Sequence, residues 1–164
     1  MSLASPRVCP DADLPAAHRA ALDATEPIMV PVDLYADDRG WSIMNQFQGV
    51  LAPEGQINVS IMYPGVVKAW HRHRRQTDFF LGLHGNLKAG VHRDDGTSWL
   101  TYLGEKRPQI LIIPPTLWHG LATVGPESAG LLYYINRRYD PSSPDEERRP
   151  WDDVDGFPWD VQFR

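Results

Sequence analysis

The sequence predicts an all-β fold, either a sandwich or a barrel. Three observations carry this prediction. From residue 28 onward the chain breaks into about ten short alternating apolar runs, evenly spaced and closed by turn residues. Thirteen Gly and fifteen Pro in 164 residues exceed the usual share of about 12%, and both residue types interrupt helices. Strand-like runs do not alternate with helical ones, which disfavours a doubly wound parallel sheet. The length fits one domain.

Residues 1–27 read as an N-terminal arm. Pro6, Pro10, Pro15 and Pro27 punctuate it. Only the Ala-rich stretch 16–24 has helical propensity, over about two turns. The expectation is a loose arm with one short helix, either a plain tail or a cover on a neighbouring subunit. The single domain then runs from 28 to 164. Strands are expected at 28–35, stopped by Asp37-Asp38-Arg39-Gly40, and at 41–47, stopped by Gly49 and Pro53. Residues 56–63 alternate cleanly and place Ile57, Val59, Ile61 and Tyr63 on one face. Runs at 66–73, 78–84 and 86–93 lead to Asp94-Asp95-Gly96, a hairpin signal. Runs at 98–103, 109–113, 118–124 and 130–138 complete the series. The last segment, 140–164, is acidic and Pro-rich but carries Trp151, Phe157, Trp159 and Phe163. A disordered tail does not need large aromatics, so this segment is expected to wrap back onto the barrel.

Composition narrows the function classes. The net charge of -5 disfavours nucleic acid as a partner. No apolar run approaches the roughly 18 residues of a membrane helix, so no membrane partner is expected. The first residues lack the basic start and apolar run of a secretory signal. The single Cys9 allows neither an intramolecular disulfide nor a Cys-based zinc cage. A cytoplasmic protein is expected.

Two segments carry the chemistry. In the first, Gly65 is followed by His71, His73, Asp78 and Gly85. The second is I-P-P-T-L-W-H-G, with His119 near its end. Residues two apart on a strand share a face, so His71 and His73 project together. A hairpin returns Asp78 on the adjacent strand, and His119 on a later strand can reach the same point.

These two segments, in this order on a β-rich chain, resemble the two motifs of the cupin superfamily. Asp78 stands where Glu is usual, and Thr116 where Gly is usual. The resemblance implies a jelly-roll barrel. A narrower resemblance, to the dTDP-4-dehydrorhamnose 3,5-epimerase family, covers roughly residues 33–160. It rests on an ordered series: D-D-R-G-W (37–41), Q-I-N-V-S (56–60), V-V-K-A-W-H (66–71), I-P-P-T-L-W-H-G (113–120), L-Y-Y-I-N-R-R-Y-D-P (132–141) and the closing E-R-R-P-W-D-D-V-D-G-F-P-W. Lys68 replaces the family Arg. H-R-H-R-R-Q (71–76) and Trp118-His119 look like the related dTDP-4-keto-6-deoxyglucose 3,4-ketoisomerases.

The resemblance implies an isomerase or epimerase of a nucleotide-linked 4-keto-6-deoxy sugar, serving deoxysugar or polysaccharide biosynthesis. His71 would remove the proton beside the ketone, and Tyr133 would return one from the opposite face. Lys68 would stabilise the enolate, and His119 would lie near the ketone. Arg39, Gln56 and Asn58 would contact the substrate, as would His73, Arg74, Arg75 and Gln76. Tyr139 would line the sugar or nucleotide site. No cofactor is implied. A homodimer is, because the resembling family pairs its barrels through sheet extension. The chemistry is sound in its own terms: His suits a base near neutral pH, and an enolate needs a fixed cation or donor.

Alternatives remain open at this point. His71, His73, Asp78 and His119 also form a donor set for Fe, Mn, Ni or Zn, which would make a metal-dependent dioxygenase or isomerase. The histidines could instead be structural, or the barrel could bind sugar without chemistry. Arg72 should face away from the His residues. Together with Arg74 and Arg75 it forms either a solvated rim or a phosphate clamp. Of the adjacent Tyr133 and Tyr134 only one faces inward, and the spacing to Pro141 favours Tyr133. Trp70, Trp99 and Trp118 either pack in the core or offer a platform to a base. His84 and His92 are expected at barrel ends or on the surface.

Overall fold

In the structure, a computed structural model that describes residues 2–161, the chain opens with β1 (Leu3–Ala4), β2 (Arg7–Val8) and α1 (Leu14–Ala24). β3 (Ile28–Pro31), β4 (Tyr35–Asp37), β5 (Gly40–Ser42), β6 (Gln56–Met62) and β7 (Val67–Arg72) follow. Next come β8 (Asp78–His84), β9 (Asn86–His92), β10 (Ser98–Gly104) and β11 (Gln109–Ile113). β12 (Trp118–Thr123), β13 (Ala129–Ile135) and β14 (Glu147–Arg148) complete the strands among the described residues. Sheet A has the order β1-β10-β9-β12-β7-β14, and sheet B the order β2-β3-β11-β8-β13-β6. The two form the jelly-roll barrel of a cupin.

Alternation along each strand divides the apolar residues among three clusters. Phe80, Leu111, Ile113 and Leu131 of sheet B meet Leu87, Val91, Trp99, Leu103 and Leu121 of sheet A inside the barrel. Their neighbours Phe79, Leu81, Ile110, Ile112 and Tyr134 face the other way and pack under α1, which buries Leu14, Ala17 and Ala21. The third cluster, on the outer face of sheet A, joins Trp70, Trp118 and Ala122 to Val154, Phe157 and Trp159. Fully burying a large apolar side chain stabilises the fold by roughly 1.5–3 kcal/mol.

The first and last described segments are both fastened. The first 27 residues are not a loose arm: β1 pairs with β10, β2 pairs with β3, and α1 packs on sheet B. Strands of two residues are too short to show periodicity. The helix begins at Leu14 because Asp13 caps it, accepting from Ala16 N at 2.7 Å. At the other end, Gly90 lets the final segment approach; a Cβ there would lie 2.4 Å from Phe157. The Lys88 ammonium donates to the carbonyls of Pro158, Trp159 and Asp160 at 2.6, 2.9 and 2.6 Å. Phe163 lies outside the described residues.

One expectation for the middle of the chain changes, and another gains a direction. The runs 28–35 and 41–47 do not form two long strands. Asp38-Arg39 makes the turn of a short separate hairpin, β4–β5, and residues 43–47 leave the sheet. On β6, the edge of sheet B, the apolar face is the outer one. Ile57, Val59, Ile61 and Tyr63 are 56–73% exposed, while Gln56, Asn58 and Ser60 face the cavity within.

Candidate active site

A bulge in β7 assembles one wall. His71 lies opposite His119, but Lys68, three residues back, lies opposite Leu121 only two residues on. The extra residue leaves Ala69 and Trp70 both packed outward, and turns Lys68 and His71 to the same side. The bulge is possible because β12 carries Gly120 where β7 crosses it. A Cβ at Gly120 would sit 2.3 Å from the Ala69 Cβ.

His71, His73, Asp78 and His119 converge, with one donor atom from each within 4.8 Å of the others. The His71 and His119 rings are 4.1 Å apart. Asp78 Oδ2 lies 3.0 Å from His119 Nε2 and 3.5 Å from His73 Nε2. Other groups fix these orientations. His73 Nδ1 donates to the Asp145 carbonyl at 2.6 Å, and His119 Nδ1 to the Leu117 carbonyl at 2.9 Å. A carbonyl only accepts, so both Nδ1 atoms carry a ring proton, and in the neutral tautomer that leaves, each Nε2 presents a lone pair. The Gln76 amide donates to Asp78 Oδ1 at 2.6 Å, which leaves Oδ2 toward the histidines. Asp78 Oδ2 and His119 Nε2 are buried without a hydrogen-bond partner among the described residues.

Burial, reinforced by the charge that His119 and His73 would carry, pushes the His71 imidazolium down to about 2. His71 is therefore a neutral donor at physiological pH. Burial pushes the Asp78 carboxyl up, but the nearby His119, with His73 and His71, outweighs it and holds Asp78 below its ordinary value. Two lone pairs facing at 3.0 Å call for a proton or a cation between them. The donor set fits a divalent ion: neutral imidazoles and one carboxylate suit Zn, Fe, Ni or Mn, with the rings already oriented by carbonyls.

The cluster opens into a cavity of about 790 Å³ between the sheets. Gln56, Asn58, Lys68, His71, His73, Gln76, Asp78, Tyr133 and Tyr139 all line it. Lys68 and His71 belong to sheet A, and Tyr133 to sheet B. Lys68 Nζ donates to Ser60 Oγ at 3.2 Å. Burial, then the charges of Asp78 and Glu146, push the Tyr133 hydroxyl up. Tyr134 is instead core, its hydroxyl held by Ala52 N at 2.7 Å and Val50 O at 3.0 Å.

Some expected site residues lie elsewhere. His119 is buried behind the cavity and does not line it. Arg39 sits at the exposed tip of the β4–β5 hairpin, paired with Asp37, away from this cavity. Arg74 turns to Glu147 at 2.8 Å and also stays outside. Arg75 lines a smaller adjoining cavity of about 280 Å³, which shares His73, Gln76 and Tyr139 with the larger one. Arg72 faces outward. Trp99 packs inside the barrel, and Trp70 and Trp118 pack under the final segment. His84 is exposed beside Glu105 at 3.3 Å, and His92 ends β9 against Ser98 at 2.8 Å. Sequence reasoning missed Ser60, Glu146 and Arg148, which line the cavity. Ser60 shares the alternation of Gln56 and Asn58 and was readable. Glu146 and Arg148 carry no local signal, because only the pairing of β14 with β7 brings them there.

The two sheets and the cavity between them define a jelly-roll barrel of the cupin fold. A dTDP sugar isomerase from Desulfovibrio desulfuricans has the same fold, with a TM-score of 0.71 over 81% of this chain and 90% of that one, at 23% identity. The chain belongs to the polysaccharide biosynthesis C-terminal domain family, whose model matches residues 35–147. It is 34% identical over 139 residues to the spore coat polysaccharide biosynthesis protein SpsL of Bacillus subtilis, across 79% of this chain and 92% of that protein. It is 40% identical over 100 residues to Agl13 of Haloferax volcanii, a probable low-salt glycan biosynthesis epimerase, across 57% of this chain and 64% of that protein.

Proposed function

We propose that this protein epimerises or isomerises a nucleotide-linked 4-keto-6-deoxy sugar by abstracting a proton beside the ketone. The observation that carries this is the placement of proton-transfer groups on opposite walls of one cavity, with Lys68 and His71 on sheet A and Tyr133 on sheet B. Inversion needs a proton removed from one face and returned to the other, and facing walls provide the two positions. His71, held neutral by burial, is placed to take the proton, and the Asp78 charge beside it stabilises the imidazolium that forms. Lys68 faces the developing enolate oxygen. Tyr133 returns a proton from the far wall, and Gln56 and Asn58 hold the sugar. The names of the dTDP sugar isomerase and of Agl13 support the same class.

A second reading has its own observation, the unpartnered Asp78 Oδ2 and His119 Nε2. In this reading His71, His73, Asp78 and His119 hold a divalent ion. A bound ion supplies Lewis acidity toward a carbonyl oxygen. The proton steps then fall to Lys68 and Tyr133, which the cluster leaves free. Proton NMR in deuterated water with dTDP-4-keto-6-deoxyglucose separates the readings. Washout beside the ketone that survives chelation supports His71 as base. Washout abolished by chelation and restored by one metal supports the second. No exchange under any condition sinks the proposed substrate.

The apolar face of edge strand β6 supports a homodimer, because an exposed Ile57, Val59, Ile61 and Tyr63 row on an unpaired edge invites a second copy. Light scattering on the purified protein, against Val59→Lys, tests it.

A further inference from the structure

We propose that Arg148, on the short strand β14, is the residue that binds the diphosphate of the nucleotide sugar; this rests on the proposed function. The run H-R-H-R-R-Q draws attention to Arg72, Arg74 and Arg75, but the fold commits them elsewhere. Arg72 pairs with Asp94 at 2.6 Å and Glu147 at 2.7 Å and lies over the Trp118 ring. Arg74 pairs with Glu147, and Arg75 lies 3.9 Å from Asp145. Arg149 touches the cavity but pairs with Asp94 at 3.0 Å and stacks 3.8 Å from the Trp118 centroid.

Arg148 is placed differently. β14 pairs antiparallel with β7, and Arg148 lies directly opposite His71. Directly paired residues of an antiparallel ladder share a face, so Arg148 projects over the cavity that His71 lines. Its side chain is 79% exposed. Its ion pair is with Glu146 at 2.7 Å through Nη2, two residues back on the same side. That contact uses one hydrogen of Nη2 and orients the guanidinium, and the second Nη2 hydrogen with its neighbour on Nε or Nη1 still makes a two-donor edge. A planar fork of N–H donors suits a phosphate oxygen pair. A sugar ketone at His71 therefore leaves its diphosphate at the rim, beneath Arg148.

Calorimetric titration tests this with dTDP, UDP, dTMP and thymidine as probes. Arg148→Gln is expected to weaken dTDP by at least about tenfold, as for a charged hydrogen bond, and to leave thymidine unchanged. Arg148→Lys, which keeps the charge but not the fork, should fall between. Arg74→Gln should weaken dTDP less than about threefold, since its charge lies outside the cavity. In turnover, Arg148→Gln should raise KM with kcat retained. Wild-type affinity for dTDP in Arg148→Gln, or an equal loss in Arg74→Gln, overturns the assignment while the proposed function stands. If the wild type binds neither dTDP nor UDP, both fall together.

Discussion

β7 and β12 each present two faces, and the two are built on opposite terms. Inward, His71 and His119 meet Asp78 with donor atoms crowded and two polar atoms unpartnered. Outward, their immediate neighbours Arg72 and Trp118 belong to a network in which every charge is met. Asp94 accepts from Trp118 Nε1 at 2.8 Å, from Arg72 at 2.6 Å and from Arg149 at 3.0 Å, and both guanidinium groups lie over the Trp118 ring. Alternation puts these opposites one residue apart. The outer face holds the strands in place, so the inner face can keep donors that only a substrate, proton or ion completes.

The largest expected effect lies on the inner face. His71→Ala should slow solvent exchange of the sugar proton by about 10²–10⁴-fold, with thermal stability unchanged or raised. Exchange within tenfold of wild type would remove His71 from the chemistry. On the outer face the order reverses. Trp118→Ala should cost about 3–5 kcal/mol in urea unfolding, while exchange per folded molecule stays within about threefold. A variant that stays stable but loses activity would show that the two faces are not separable.

Gly120 lies between these extremes, because it touches both faces. Gly120→Ala should cost about 1–3 kcal/mol by overpacking. It should also slow exchange beyond the loss of folded protein, because the new methyl displaces the bulge that pairs Lys68 with His71. A stability loss without that extra rate loss would mean the bulge tolerates the shift.

These features were unequally legible in the sequence. Period-two runs and turn residues expose most barrel strands, and His71-x-His73 announces a shared face. The same alternation cannot say which face of β6 is inside, and there the polar residues point to the cavity. The bulge was hidden because its enabling residue, Gly120, lies on another strand. Arg148 was hidden for a similar reason: its place depends on a two-residue strand pairing with β7 across a long sequence separation. Asp145 orients His73 through a backbone carbonyl, an interaction that no side-chain motif records.

The finest contrast is in pH. His71 is depressed by burial and by its neighbouring histidines, so the unfolded chain binds its proton more readily than the folded one. Its contribution is fully present above about pH 6.5, the unfolded value, and is lost as pH falls toward the folded value of about 2. Asp94 responds later. Burial pushes its carboxyl up, but Trp118 and Arg72, then Arg149, outweigh that and hold it below its ordinary value. Its contribution is present above an unfolded value of about 3.9 and is lost only below that. Urea unfolding of chelated protein at pH 8, 5 and 3.5 should therefore separate the faces. His71→Asn should shrink the loss between pH 8 and 5, and Asp94→Asn should alter only the loss below about pH 4. Identical losses between pH 8 and 5 in wild type and His71→Asn would mean that the inner cluster already carries a proton on His71 when folded.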